Sequence, residues 1–258
     1  MLSFKTVNSL ALGLLLCLLL ANYFVNISLW FYVCLAAVWF IFTVIGSFHI
    51  RWDYHLKSLN SNKAIKENRV AITFDDGPHP EFTPMVLSLL KEYHTKATFF
   101  CIGKHVEQYP ELFKSIIEQG HTVGNHTYSH SNAFGFFKTK KVVEELQQTN
   151  AIVKNVTGLN MSLYRPAFGV TNPRIRKALK ITGLQSIGWS VRSLDTTSRS
   201  PETVLNRITK NLSKGDVILL HDSSLKTVTI LEQLLLFLKQ QNLESVTVES
   251  LFKIKAYA

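Results

Sequence analysis

The sequence predicts an α/β fold, parallel strands joined by crossover helices, set behind a pair of apolar helices. Three observations lead there. The first fifty residues carry a single charged side chain, Lys5, and two long apolar runs. From residue 69 onward, short β-branched or aromatic runs take turns with stretches of helical periodicity, the pattern of β-α-β units. Finally, residues capable of chemistry recur at the carboxyl ends of the strand-like runs, where such folds bind ligands. The pattern alone fits a closed (β/α) barrel or an open doubly wound sheet.

The apolar runs come first, at Val7 to Val25 and, after Asn26 to Ser28, Leu29 to Ile45. Each is close to the length that crosses a bilayer core, and so short a link makes residues 1–50 a transmembrane helical hairpin with Trp30, Tyr32 and Trp39 available near the interfaces. A cleaved signal peptide fits less well, because no small-x-small site precedes Asn22 and the second run would still anchor the product. Lys5, Arg51, Lys57, Lys63 and Lys66 flank the outer ends while the link is uncharged, which favours a multi-pass membrane protein with its bulk on the cytoplasmic side. If the first run does not span, the second becomes a signal anchor and the domain faces outward. Residues 51–68, rich in Lys, Ser and Asn, read as a polar linker, and residues 69–258 as one catalytic domain.

In that domain the pattern gives strands near Val70–Phe74, Ala97–Ile102, His121–Gly124, Ser162–Tyr164, Gln185–Trp189, Val217–Leu220 and Ser245–Val248. Helices fall near Glu81–Tyr93, Pro110–Gln119, Val142–Val156, Pro173–Thr182, Pro201–Leu212 and Lys226–Gln241. From Arg51 onward 27 basic residues face 18 acidic ones, a spread balance of +9 that suits anionic surroundings such as phospholipid headgroups or acidic envelope polymers. No recognition motif or dense basic run points to nucleic acid, and no feature calls for a protein partner. Cys101 stands alone downstream of Cys17 and Cys34, so the domain has no internal disulfide, and its apolar surroundings make it a core residue.

Val70 to Pro80 ends an apolar strand in Asp75 and Asp76, and Gly77-Pro78 stops it. A turn there can bring both carboxylates into one cavity, one to bind a cation and one to move a proton. In Gly124 to His130, His126 and His130 are four apart, which on one helical turn points both imidazoles the same way. With Asp76 they make a two-histidine, one-carboxylate set with a position open for water, a catalytic zinc pattern that also accepts Co2+, Ni2+ or Fe2+. Arg165, before the turn at Pro166, can hold a carboxylate ionised while the turn presents N–H groups to an oxyanion. His221, at the end of Val217–Leu220, can donate a proton to a leaving amine, its pKa set by Asp195 or Asp222.

The ordered set Thr-Phe-Asp-Asp-Gly-Pro, His-Thr-x-x-His, Arg-Pro-x-Phe-Gly and Leu-His-Asp resembles the polysaccharide deacetylases, carbohydrate esterase family 4, over about Val70 to Phe252. The resemblance implies a distorted (β/α)7 barrel and metal-dependent removal of N-acetyl groups from amino sugars in a cell-envelope polymer or oligomer. It implies Asp75 as general base, Asp76, His126 and His130 as metal ligands, and Arg165 as the group orienting Asp75. The Phe168 N–H would join the oxyanion site, Leu220 would line the pocket for the acetyl methyl, and His221, tuned by Asp195, would be the general acid. Where the family commonly has Asp-x-x-Asp-Trp, this chain has Arg192-Ser193-Leu194-Asp195-Thr196. That change of wall and charge bears on the substrate, with a lipid-linked amino sugar or a silent carbohydrate-binding protein as alternatives.

Overall fold

The structure, a computed structural model, describes residues 3–258. Helices α1 (Phe4–Phe24) and α2 (Leu29–Phe48) lie antiparallel. Tyr32 Oη donates to Leu18 O at 3.2 Å and Trp39 Nε1 to Asn8 Oδ1 at 3.1 Å, while the outward side chains, Leu20, Trp30 and Phe40 among them, are exposed and apolar. Both helices are long and apolar enough to cross a membrane.

The remaining elements are β1 (Arg69–Asp75), α3 (Phe82–Glu92), β2 (Ala97–Cys101), α4 (Gly103–Gln108), α5 (Pro110–Glu118), β3 (Thr122–Asn125), α6 (Thr139–Thr157), β4 (Leu163–Tyr164) and α7 (Pro173–Thr182). They continue with β5 (Gln185–Ser186), β6 (Val191–Arg192), α8 (Pro201–Thr209), β7 (Val217–His221), α9 (Leu225–Gln240), β8 (Glu244–Ser245) and α10 (Val248–Phe252). Their limits follow from local chemistry. Asn172, Ser200, Ser224 and Thr247 cap α7, α8, α9 and α10 by accepting an N–H three residues on, and Pro173 and Pro201 open the first two of these.

All strand pairings are parallel, in the order β5-β4-β3-β2-β1-β7-β6, with β8 beside the start of β1. The two ends of this path are the two ends of one extended stretch. Residues 185–192 leave β4 at Ser186 and join β7 from Ser190 N, which donates to Val217 O at 3.0 Å, so the curled sheet closes through a bent chain. The single strand expected at Gln185–Trp189 is thus two short pieces, and the barrel is distorted there. Beyond Ser245 the expected strand gives way to α10, and α4 has no counterpart in the sequence expectation.

Strand alternation sorts the core into two layers. Val70, Ile72, Phe74, Phe99, Ile218 and Leu220 face outward against Val86, Leu90, Leu231 and Leu234 of α3 and α9, whereas Ala71, Phe100, Leu163, Val217 and Leu219 fill the interior with Trp189. Strands covered on both sides are mostly apolar, as β7 is from Val217 to Leu220 and β1 is from Val70 to Phe74 apart from Thr73. Residues 51–68, read from composition as a linker, lie along this barrel. Leu59 N donates to Ser186 O (3.0 Å) and Gly188 N to Leu59 O (2.9 Å), Asn62 N donates to Gly215 O (2.8 Å), and Tyr54, His55, Ser58 and Ile65 are buried.

Candidate active site

β1 carries Asp75 and Asp76 to the carboxyl rim. The two carboxylates meet in one cavity because Asp76 has φ 77°, a left-handed turn that Asp tolerates better than most residues and that costs about 1 kcal/mol. Gly77 next to it has no alternative: a Cβ there would strike the Asp222 carboxylate. Asp222 is itself buried, accepts from Thr83 Oγ1, and is pushed up to about 7 by burial. It does not contact His221 through its carboxylate.

His126 follows β3, and the next turn delivers His130. The stretch is not the helical turn expected from the four-residue spacing. It is an irregular loop with left-handed residues at Thr127 (φ 67°) and His130 (φ 46°), and the two rings still converge, 4.8 Å between centroids. Thr127 N donates to Asn125 Oδ1, while Tyr128 N and Ser129 N both donate to the buried carboxylate of Glu145 on α6, at 3.1 and 2.8 Å. His126 Nδ1 lies 3.0 Å from Arg165 O and donates to it, which leaves Nε2 as a free lone pair.

Asp76 Oδ1 is 3.4 Å from His126 Nε2 and 3.4 Å from His130 Nε2, and it is a buried oxygen with no hydrogen-bond partner. Three donor atoms within 4.8 Å of one another, one of them an unpartnered buried carboxylate oxygen, fit a divalent metal ion. Burial opposes the Asp76 carboxylate, but the facing imidazole of His126, then those of His130 and His221, hold it well below the usual carboxylate range. Burial brings His130 down to about 4, the neutral form a metal ligand needs.

Arg165 is fully buried with its charge surrounded. Nη1 donates to Asp75 Oδ1 at 2.9 Å and to Thr73 Oγ1, Nη2 to Gly188 O at 2.8 Å and Nε to Ile187 O, with the guanidinium 4.1 Å over the Phe100 ring. A buried charge so fully bonded is fixed in direction, and it fixes Asp75. Asp195, with no exposed surface, accepts from His221 Nδ1 (2.8 Å), His221 N (2.8 Å), Ser193 Oγ (2.8 Å) and Thr227 Oγ1 (3.0 Å). Of the two carboxylates left open by the sequence, the partner of His221 is therefore Asp195. Burial works against the imidazolium, but Asp195, then Asp75 and Asp76, raise His221 to about 9.

Phe168 sits at φ 57° with its ring 4.4 Å from that of His130 and 45% exposed at the rim, and its N–H has no acceptor among the described residues. Leu220 is placed differently from the expectation. It is fully buried in the helix-facing layer, and the β7 side chain that faces the interior two residues before His221 is Leu219. Strand alternation makes the difference, since His221 and Leu219 share a face and Leu220 takes the other. Sequence reasoning also missed Glu145, Ser193, Thr227 and His105, whose Nδ1 lies 2.8 Å from Asp76 O. Glu145, Thr227 and His105 reach the site from α6, α9 and α4, where only a polar residue among apolar ones could have hinted at them, whereas Ser193 lies in the loop two residues before Asp195.

Comparison with known proteins agrees with this architecture. The family described as "Polysaccharide deacetylase" matches residues 62–187. A peptidoglycan-N-acetylglucosamine deacetylase of Bacillus cereus is 38% identical over 194 residues, 73% of this chain and 90% of that protein. The peptidoglycan-N-acetylglucosamine deacetylase PgdA of Listeria monocytogenes is 35% identical over 74% of this chain, which spans only 40% of its length. The structure of the peptidoglycan deacetylase PdaC from Bacillus subtilis superposes with a TM-score of 0.69 at 30% identity, covering 73% of this chain and 91% of that one. The fold and site thus define a hydrolase that acts on carbon–nitrogen bonds other than peptide bonds. The chain belongs to the polysaccharide deacetylase family, carbohydrate esterase family 4.

Proposed function

We propose that the protein removes N-acetyl groups from amino sugars of a cell-envelope polymer of the peptidoglycan or chitin-oligomer type, from a membrane anchor formed by α1 and α2. The observation that carries this is the buried, unpartnered Asp76 Oδ1 facing two imidazole nitrogens beside an arginine-held second carboxylate. Asp76, His126 and His130 would hold a divalent metal, Zn2+ by preference for this ligand set, and it would supply Lewis acidity to water and to the amide carbonyl.

The chain's own groups do the rest. Asp75, oriented by Arg165, accepts a proton from the attacking water as the oxygen–carbon bond forms. The Phe168 N–H donates to the developing oxyanion. His221, kept protonated by Asp195, delivers its proton to the nitrogen as the carbon–nitrogen bond breaks, so acetate and a free amino sugar leave. Leu219, on the same face as His221, lines the space for the acetyl methyl.

A second reading, a lipid-linked amino sugar as substrate, is favoured by one contact. Thr171 N donates to Ser47 O at 2.9 Å, so the foot of the hairpin lies three residues from Phe168 at the rim. Acetate release from peptidoglycan and from N-acetylglucosamine oligomers by the full chain, chelated and then resupplied with Zn2+, tests the first. Metal-dependent release supports it. Bound metal without release from either moves the assignment to the lipid-linked sugar, and a folded protein with neither is a silent carbohydrate-binding protein. Asp75→Asn should keep the metal and lose nearly all activity, whereas His126→Ala should lose both; equal metal loss in the two contradicts the division of roles.

A further inference from the structure

We propose that the cleft between the start of α1 and α7 binds the phosphate of an anionic membrane lipid. The cleft has a volume of 270 Å3, and Lys5, Arg176, Lys177 and Lys180 line it around an apolar floor of Phe4 and Pro173. No carboxylate lines it, and none of the four cations has an ion-pair partner among the described residues. His55, the remaining lining group, adds no negative charge, and its Nδ1 is a buried neutral nitrogen without a hydrogen-bond partner among the described residues. Its Nε2 is bonded to Ser47 Oγ at 3.0 Å and its ring lies against Phe4, and burial, then the Arg176 charge, hold it neutral with a pKa of about 4.

Some lysines elsewhere on the surface have carboxylates in reach. Lys114 pairs with Glu111 on α5, and Lys141 with Glu144 and Glu145 on α6. α7 has no acidic residue at all. It buries Ile175, Ala178 and Leu179 and turns Lys177 and Lys180 outward, with Arg176 half-buried toward α1. Helix-dipole compensation accounts for one basic residue in the last turn, but not for three cations facing a fourth at the end of an apolar helix. Lys5 is in the first turn of α1, tied to the domain by Phe4 N donating to Tyr54 O at 2.9 Å. With α1 and α2 in a bilayer, that turn is at headgroup depth, where each cation near an anionic surface contributes about 1 kcal/mol. An acyl chain can then run along the exposed leucines of α1 while its phosphate meets the four cations.

This rests on α1 and α2 spanning the membrane, and the test separates the two. The full chain is placed in bilayer discs of phosphatidylcholine doped with phosphatidylglycerol, stripped with nonionic detergent, and its retained lipid counted by mass spectrometry. Wild type should retain phosphatidylglycerol preferentially, and R176Q/K177Q/K180Q should lose that preference by about tenfold or more. The double variant K177Q/K180Q, changed only at exposed positions, should lose part of it with an unchanged melting temperature. The charge-matched control K91Q/K154Q/K239Q, on α3, α6 and α9, should keep it. No preference in wild type, or equal loss in the control, overturns the site. Displacement by millimolar inorganic phosphate, whatever the acyl chains, makes it a free-phosphate site and overturns the lipid assignment. Resistance to alkaline carbonate extraction is scored separately: a chain that is extracted sinks the spanning reading, whereas one that stays inserted without lipid preference sinks only the site.

Discussion

The Asp195 carboxylate accepts four hydrogen bonds, two of them from His221, so the proton on that imidazole is the most directly testable feature of the rim. A histidine raised from 6.5 to about 9 contributes stability that is complete below pH 6.5 and lost as pH rises through 9, about 3 kcal/mol for a shift of that size. Asp195, lowered despite its burial, contributes above its ordinary range and loses that as pH falls. The pair is therefore most stable between weakly acid and weakly alkaline pH. Asp195→Asn should move the alkaline limb of the kcat/KM profile about two pH units toward acid and flatten the alkaline loss of melting temperature. An unmoved limb would separate His221 from proton delivery. Leu219 and Leu220 give a second contrast at this scale. Leu220→Ala should cost about 2–5 kcal/mol in denaturant unfolding yet leave KM near wild type, while Leu219→Ala should weaken substrate turnover more than its stability loss explains. The reverse ranking would restore Leu220 to the pocket.

At the scale of elements, the loop from His126 to His130 has its geometry supplied by a helix. Glu145 of α6 accepts from two successive N–H groups and from Ser129 Oγ, and Asn125, itself bonded to Leu146 O and Asn150 Oδ1, accepts from Thr127 N. Glu145→Ala should lower metal affinity by about 10- to 100-fold with both histidines intact, and Glu145→Gln by less, as read by competition with a chelator. Equal affinities in all three proteins would mean that the loop is held without Glu145. The same loop marks where sequence reasoning ran out. Residue types and spacing identified His126, His130, Asp75, Asp76, Arg165, Asp195 and His221, and the structure gathers all seven at one rim, because rim positions in a parallel sheet are fixed by where each strand ends. The path between the two histidines was not legible, since left-handed residues at Thr127 and His130 leave no periodic trace. Glu145 reads as one more charge on an amphipathic helix until its burial is known.

For the whole molecule, the alternation of strand and helix was legible because two-sided burial makes the middles of strands such as β1 and β7 apolar, Thr73 excepted. Residues 51–68 were not, because they bind the barrel through backbone groups and isolated side chains rather than a repeating face. Their contacts fall on both sides of the bent stretch 185–192 that closes the sheet: Leu59 bonds Ser186 O and Gly188 N beside β5, Ser58 Oγ meets Ser186 Oγ at 2.8 Å, and Asn62 N and Lys63 Nζ reach Gly215 and Asp216 before β7. Asn62 Nδ2 also donates to Leu251 O at 2.7 Å on α10, and Ile65 is buried under the interior layer. The two sheet ends held together this way are the ends that carry Arg165's acceptors at Ile187 and Gly188 on one side and Asp195 and His221 on the other. Stability and the registration of base against acid therefore depend on the same strap. Three backbone hydrogen bonds and one buried isoleucine amount to about 5 kcal/mol, a large share of a domain's total. A chain beginning at Arg69 should accordingly melt far below one beginning at Arg51 and lose activity beyond its unfolded fraction, whereas the chain from Arg51 should keep both despite lacking α1 and α2. Equal melting temperatures for the two truncations would reduce residues 51–68 to a tether.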